Sequence, residues 1–293
     1  IHVPSTYSII TNIDREHMDF YKSMDQLKQY FVNFINRVPS FGKVFICLDD
    51  KINYELIKKI ENHNFYTYGL NDKSNFCIKN LKQEKTFTQF DLSIKLTNKK
   101  KFLVKKIKIP LLGIHNVRNS VAAIGVALTV GISIRVIKKG LLGFKGVQRR
   151  FNKIFTYNHI DYYDDYAHHP TEIKFVLDGL KKVYKDYEKI CIFQPHRISR
   201  LKDLRKEFSY SFSDADTVIL CPIFTAGEKM KLGFSYNSFA REIIKNSKVK
   251  LFLVNNNNEL AKFLKYLNGK KIVIGMGAGT ISSWMRQLPK LMR

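Results

Sequence analysis

The sequence predicts an α/β protein in two parts, the second built on a mainly parallel sheet. Short apolar runs of strand length recur along the chain, and segments of helical periodicity separate them. Glycines around residue 146 interrupt the pattern at mid-chain. With 293 residues there is enough chain for two cores.

The first half opens with TYSIITNI, which reads as a buried strand over 6–13. A strand this near the first residue leaves little room for its neighbours upstream, so the sequence is expected to begin inside a domain. Met24, Leu27, Phe31, Phe34 and Ile35 fall at helical spacing and predict a helix over 24–35. KVFICL predicts a strand over 43–48, followed by a short helix over 54–60 and a strand over 65–68. Alternating segments between 75 and 109, including 86–92 and 102–109, predict a small antiparallel patch. The small and apolar residues of HNVRNSVAAIGVALTV suit a close-packed helix over 115–130, ended by Gly131. Ser133 can cap the next helix, over 134–142. Gly140, Gly143 and Gly146 then place a domain boundary between 147 and 148. Beyond it, strands over 160–163, 190–193, 217–221, 250–254 and 271–274 alternate with helices over 171–181, 201–208, 236–245 and 259–266. Such alternation implies a parallel sheet covered by helices, with ligands at the carboxyl ends of its strands.

Composition narrows the function classes. The net charge of +25 could serve a polyanion, but Lys and Arg are spread along the chain in short runs such as 99–101. That distribution argues for a compositional bias and against a nucleic-acid partner, although it would also favour a small phosphate-rich substrate. No run of eighteen apolar residues predicts a membrane span, and Ile1-His2-Val3-Pro4 does not open a signal peptide. The four cysteines form no CxxC pair and read as buried thiols, which points to the cytoplasm.

Four polar clusters sit where chemistry is expected. YDDYAHHP (163–170) sets Asp164, Asp165, His168 and His169 just past a strand. Such a set can bind metal, hydrogen-bond a ribose or position a substrate, and Pro170-Thr171-Glu172 also reads as a capped helix start. FQPHRISR (193–200) gathers His196, Arg197 and Arg200, suited to a carboxylate or phosphate. TNIDREHMD (11–19) offers Glu16, His17 and Asp19 to a divalent cation such as magnesium. HNVRN (115–119) offers the amides of Asn116 and Asn119 to an adenine edge, or Asn116 as a helix cap. The glycines of GMGAG (275–279) lack the acid expected about twenty positions later in a dinucleotide fingerprint and read as a close strand-to-helix turn.

Taken in order, TNIDREHMD, GIHNVRNSVAA, RRFN, DDYAHHPTEI, FQPHRISR, FTAGE and GMGAGTIS resemble the succession of motifs in the Mur ligases, over residues 1 to about 285. The resemblance implies an incomplete central ATPase domain over 1–147 and a Rossmann-like C-terminal ligase domain over 148–293. It implies ATP and Mg2+ as cofactors, UDP-N-acetylmuramate and L-alanine as substrates, and a place in peptidoglycan synthesis. ATP would phosphorylate the lactyl carboxylate, and the alanine amine would attack the acyl phosphate. His17 matches the family's catalytic histidine at a magnesium site, Asn116 and Asn119 the pair near adenine, and Arg150 the catalytic arginine facing the nucleotide. Asp165 matches the acid on the ribose. His168, His169, His196, Arg197 and Arg200 fall in segments turned toward the muramate and the amino acid.

FQPHR favours the alanine-adding member over the murein tripeptide recycling ligase; a basic nucleic-acid-binding protein on a degenerate ligase scaffold is the remaining alternative. Glu16 stands where the family usually has Asp, and Asn152 where it has an acid after Arg-Arg-Phe. No GxxGKT-type phosphate loop occurs in the chain, so this polypeptide by itself is expected not to turn over ATP.

Overall fold

The structure is a computed structural model that describes residues 5–18, 20–61, 64–96, 100–228 and 235–293. Asp19 and Lys99, named above, lie outside the described residues, as do residues 1–4. The chain divides into two compact units, Ile1–Lys145 and Gly146–Arg293.

In the first unit the elements run β1 (Tyr7–Ile10), α1 (Met24–Asn36), β2 (Lys43–Cys47), α2 (Lys51–Leu56) with a 3-10 turn (Ile57–Lys59), and β3 (Phe65–Gly69). They continue with β4 (Phe76–Gln83), β5 (Thr88–Ile94), β6 (Phe102–Ile109), α3 (Ile114–Thr129) and α4 (Ile134–Leu142). The six strands form one sheet in sequence order, parallel from β1 to β4 and antiparallel from β4 to β6. The antiparallel segments are therefore an extension of the main sheet, joined through Tyr68↔Phe76 and Gly69↔Cys77. Strand periodicity divides the core: Phe45 and Cys47 face α3 and α4, while Val44 and Ile46 face α1 and α2. Ser23 and Asp50 cap α1 and α2 by accepting from the Gln26 and Asn53 N–H groups.

Gly125 shows how tightly α3 lies on this sheet. A Cβ there would stand 2.5 Å from the ring of fully buried Phe45. Gly125→Ala should therefore lower unfolding stability by about 1–3 kcal/mol in urea titrations, because overpacking outweighs alanine's advantage of ~1 kcal/mol in helix propensity. A stabilised variant would show that the helix can retreat.

The second unit runs β7 (Asn152–Tyr157), β8 (Ile160–Asp165), α5 (Pro170–Val183), β9 (Glu188–Phe193), α6 (Ile198–Asp203), α7 (Arg205–Ser209) and β10 (Thr217–Leu220). Then come α8 (Tyr236–Ser247), β11 (Lys250–Leu253), α9 (Asn257–Lys265), β12 (Lys271–Met276) and α10 (Ile281–Leu291). Its strand order is β11-β10-β9-β12-β8-β7, parallel except for the β7–β8 hairpin. Cys191, Phe193, Val218 and Leu220 belong to the core on the α5–α8 side; Ile190, Ile192, Ile219 and Val273 pack toward α9 and α10. The strand β7 was not predicted; its hairpin turns on Asn158 and His159, both at positive φ, without the usual glycine. The helix expected over 201–208 is two short helices, because Leu204 leaves helical geometry at φ −110° and ψ 24°.

All four cysteines are buried and unpaired. Among the described residues no helix is long and apolar enough to cross a membrane.

Candidate functional site

The last strand inserted, β12, enters the second sheet between β9 and β8, so three consecutive carboxyl ends carry the loops 166–169, 194–197 and 277–280. Topology thus gathers DDYAHHP, FQPHRISR and GMGAG at one edge of one sheet.

At the end of β8, Asp164 and Asp165 are 1% and 3% exposed. Asp165 accepts from the Ala167 N–H (2.7 Å) and the Phe151 N–H (2.8 Å). Asp164 accepts from the Ser282 hydroxyl (2.5 Å), with Arg149 Nε at 4.0 Å and Arg286 at 3.9 Å. Arg149 also donates to the Gly277 carbonyl (2.6 Å) and lies over the Tyr166 ring. Arg150, half exposed, lies over the same ring and 3.7 Å from Glu172. Asn152 Oδ1 accepts from the Arg150 N–H, so in this chain that side chain shapes the turn.

The two histidines of DDYAHHP have different tasks. His169 is buried and caps α5, accepting from the Thr171 N–H at Nδ1, while Glu172 accepts from the N–H groups of both His168 and His169. His168 Nδ1 lies 2.9 Å from the Tyr166 carbonyl and 3.3 Å from Glu172. A carbonyl only accepts, so this nitrogen carries a hydrogen. Its ring meets that of His196 edge-on at 5.9 Å.

His196 stacks on Phe224 and receives a hydrogen bond from Arg200 at Nδ1 (3.1 Å). A guanidinium cannot accept, so the His196 hydrogen sits on Nε2. Burial and then the Arg200 charge push its pKa down to about 4, so at neutral pH it is an uncharged donor. Arg197 adopts φ 68° and ψ 133°, a conformation rare outside glycine. The GMGAG segment is the close turn expected: a Cβ at Gly277 would fall 2.7 Å from the Gln194 carbonyl, and one at Gly279 2.6 Å from both Gln194 and Phe224. Gln194, which the sequence did not single out, binds the start of α10 through the Ile281 N–H (2.9 Å) and the Thr280 hydroxyl (3.0 Å). A hollow of about 930 Å³ opens at the opposite, amino-terminal edge of the sheet. Its buried ammonium, Lys189, is paired with Asp216 at 3.1 Å.

Two opposed titrations follow. Burial pushes the Asp165 carboxyl up to about 6, against the pull of the two N–H groups and Arg150. Below that pH the folded state holds a proton that the unfolded chain, at 3.8, releases. Asp165 therefore adds stability as pH falls from 6 toward 4, by about 3 kcal/mol for a shift of about two units. His196 acts in reverse: its neutral form contributes stability above 6.5 that is lost as pH falls through 4. Asp165→Asn should thus lose stability more steeply than the parent between pH 6.5 and 4 in urea titrations, and His196→Asn less steeply. Parallel profiles would contradict both assignments.

In the first unit the candidates are less gathered. His17 is exposed at φ 56°, in the segment after β1. Asn116 donates to the Leu112 carbonyl (2.7 Å), a bond at the start of α3, while Asn119 is exposed one turn further along. Between them Arg118 binds Asp49, at the carboxyl end of β2, at 2.6 Å. Asp49 was also missed, although an acid directly after an apolar strand is a visible signal. Among the described residues no group of three His, Cys, Asp or Glu side chains could hold a metal ion.

Residues 2–127 match the Mur ligase middle domain, and residues 149–279 the Mur ligase glutamate ligase domain. The chain is 68% identical to the UDP-N-acetylmuramate–L-alanine ligase of Pelagibacter ubique, over 99% of the chain and 63% of that relative. It is 40% identical to the enzyme of the same name from Rickettsia bellii, over 99% and 62%. The crystal structure of the Thermotoga maritima UDP-N-acetylmuramate–alanine ligase superposes with a TM-score of 0.73 at 23% identity, covering 98% of this chain and 59% of that one. The chain thus spans about three fifths of the length of the curated relatives it matches.

Proposed function

The chain belongs to the Mur ligase family, and from that premise we propose that it serves the ATP-dependent ligation of L-alanine to UDP-N-acetylmuramate, in the cytoplasm. The observation that carries this reading is the row His168, His196, Arg197 and Arg200 at the carboxyl ends of β8 and β9. It offers guanidinium groups and a neutral imidazole N–H, the donors a carboxylate ligand requires.

The reaction joins two anions and an amine. An oxygen of the lactyl carboxylate attacks the γ-phosphorus of ATP and ADP leaves. The alanine amine then attacks the acyl carbon, and phosphate departs with the carboxylate oxygen. Such a sequence depends on position and charge neutralisation more than on a nucleophile from the protein. Arg150 is the group assigned to the transferring phosphate. Arg197 and Arg200 hold a substrate carboxylate, and His168 and His196 line the same rim. His196 is not assigned the alanine proton, since a ring with a pKa of about 4 and Nδ1 already accepting is a poor base. Asp165 is assigned to the ribose side of the nucleotide. With both oxygens held by backbone N–H groups, it acts there mainly by fixing the turn that carries Arg150.

In the first unit Asn116 and Asn119 are assigned to the adenine and His17 to magnesium. Magnesium would neutralise phosphate charge and is best served by oxygen ligands. The described residues do not by themselves build such a site.

The test joins the chain in frame to the part of the Pelagibacter ubique relative that it does not cover. ADP release should then require UDP-N-acetylmuramate and L-alanine together. Release with a murein tripeptide and not with alanine would assign the recycling reaction instead.

A further inference from the structure

The loop after β10 grips the loop after β9 at several points. Phe224 donates its N–H to the Pro195 carbonyl (2.8 Å), and its carbonyl accepts from the Arg197 N–H (2.9 Å). Its ring lies flat against His196, 5.5 Å between centroids and 17° between planes. Ala226 and Gly227, both at positive φ, turn the chain so that Glu228 comes back toward α6. There one Glu228 oxygen accepts from the N–H groups of Ile198 (2.7 Å) and Ser199 (3.0 Å), and the other from the Ser199 hydroxyl (2.6 Å).

Arg197 lies between these two grips, in its sparsely populated backbone conformation. A residue in such a conformation keeps it only while its surroundings over-determine it. Phe224 fixes the N–H of Arg197 itself, and Glu228 fixes the next two N–H groups. Without the carboxylate, the peptide after Arg197 could rotate to an ordinary conformation and swing the guanidinium away from His196.

We propose that Glu228 is a positioning residue: it holds the 197–199 backbone so that His196 and Arg197 face one carboxylate-bearing ligand together. The proposal rests on the reading of this rim as a carboxylate site. Glu228 itself touches no reacting atom and takes no proton.

Ring signals of the histidines in the chain test it, with His196 assigned by the loss of its signal in His196→Asn. In the parent the His196 ring protons should be shifted upfield by Phe224, and should move saturably on titration with N-acetylmuramoyl-L-alanine. In Glu228→Ala, which removes both acceptor oxygens, the upfield shift should be largely lost and the apparent affinity fall about tenfold, with amide dispersion retained; Glu228→Gln, which keeps one acceptor oxygen, should lose less. Ser199→Ala, which removes one of the three bonds, should weaken the ligand about two- to threefold and add little in the double variant. If the parent responds and Glu228→Ala matches it in shift and affinity, the positioning role is wrong. If the parent does not respond, the carboxylate site falls, and this role with it.

Discussion

Replacing Asp49 with alanine is expected to destabilise the first unit by about 3–5 kcal/mol, the range found when one partner of a buried ion pair is removed. The carboxylate is 8% exposed and serves three donors. Both of its oxygens lie within 2.9 Å of the Leu70 N–H, one accepts from the Asn71 N–H at 3.0 Å, and the other from Arg118 Nε at 2.6 Å. Alanine would leave two backbone N–H groups and a guanidinium without this acceptor, each costing about 1–3 kcal/mol where water cannot replace it. Gly69 shows how closely the carboxylate is enclosed, since a Cβ there would lie 2.5 Å from Asp49 Oδ1. Asp49→Asn keeps the shape and one acceptor oxygen and should lose less. Urea titration followed by the first unit's tyrosine signals measures both variants. A loss below 1 kcal/mol for Asp49→Ala would mean that solvent reaches this corner. Arg118 lies between Asn116 and Asn119, so the same variant should also disturb the face of α3 assigned to adenine.

Arg150→Ala should carry the other large effect, on turnover. Removing one preorganised donor from a developing charge typically lowers kcat by about 10²–10³. Arg150 is preorganised by what surrounds it. Arg149 and Phe151 on either side both have positive φ, and the Tyr166 N–H binds the Arg149 carbonyl at 2.7 Å. Asp165 holds the Phe151 N–H, Asn152 holds the Arg150 N–H, and the guanidinium rests over Tyr166. In the joined ligase kcat should fall while KM for UDP-N-acetylmuramate changes little, the pattern of an interaction made in the transition state. A rise in KM at unchanged kcat would instead make Arg150 a binding residue.

Much of this was legible in the residues because both sheets obey simple rules. Apolar runs became strands and the polar residues after them fell at strand ends, so DDYAHHP and FQPHRISR were legible as one kind of place. The strand β8 runs two residues further than the sequence predicts and takes in Asp164 and Asp165, which pair with Gly275 and Met276. Partnerships across the chain could not be read the same way. Gln194 binds Ile281 at a separation of 87 residues, and Arg118 binds Asp49 at 69. Those meetings depend on β12 entering between β9 and β8 and on α3 crossing back over β2, which local periodicity does not encode. Glu228 was visible within FTAGE, but its task became clear only once the β10 loop lay against the β9 loop. The sequence offers Pro170-Thr171-Glu172 as a capped helix start without naming the cap, and the structure makes His169 that cap.

The most direct test of the central claim follows one oxygen atom. UDP-N-acetylmuramate labelled with 18O in its lactyl carboxylate is incubated with ATP, L-alanine and the joined ligase, and the released phosphate is analysed by mass spectrometry. Attack of that carboxylate on the γ-phosphorus, followed by attack of the alanine amine on carbon, transfers one labelled oxygen to phosphate. Labelled phosphate formed in step with the alanine adduct is the predicted result; unlabelled phosphate, or phosphate released without alanine incorporation, would contradict it.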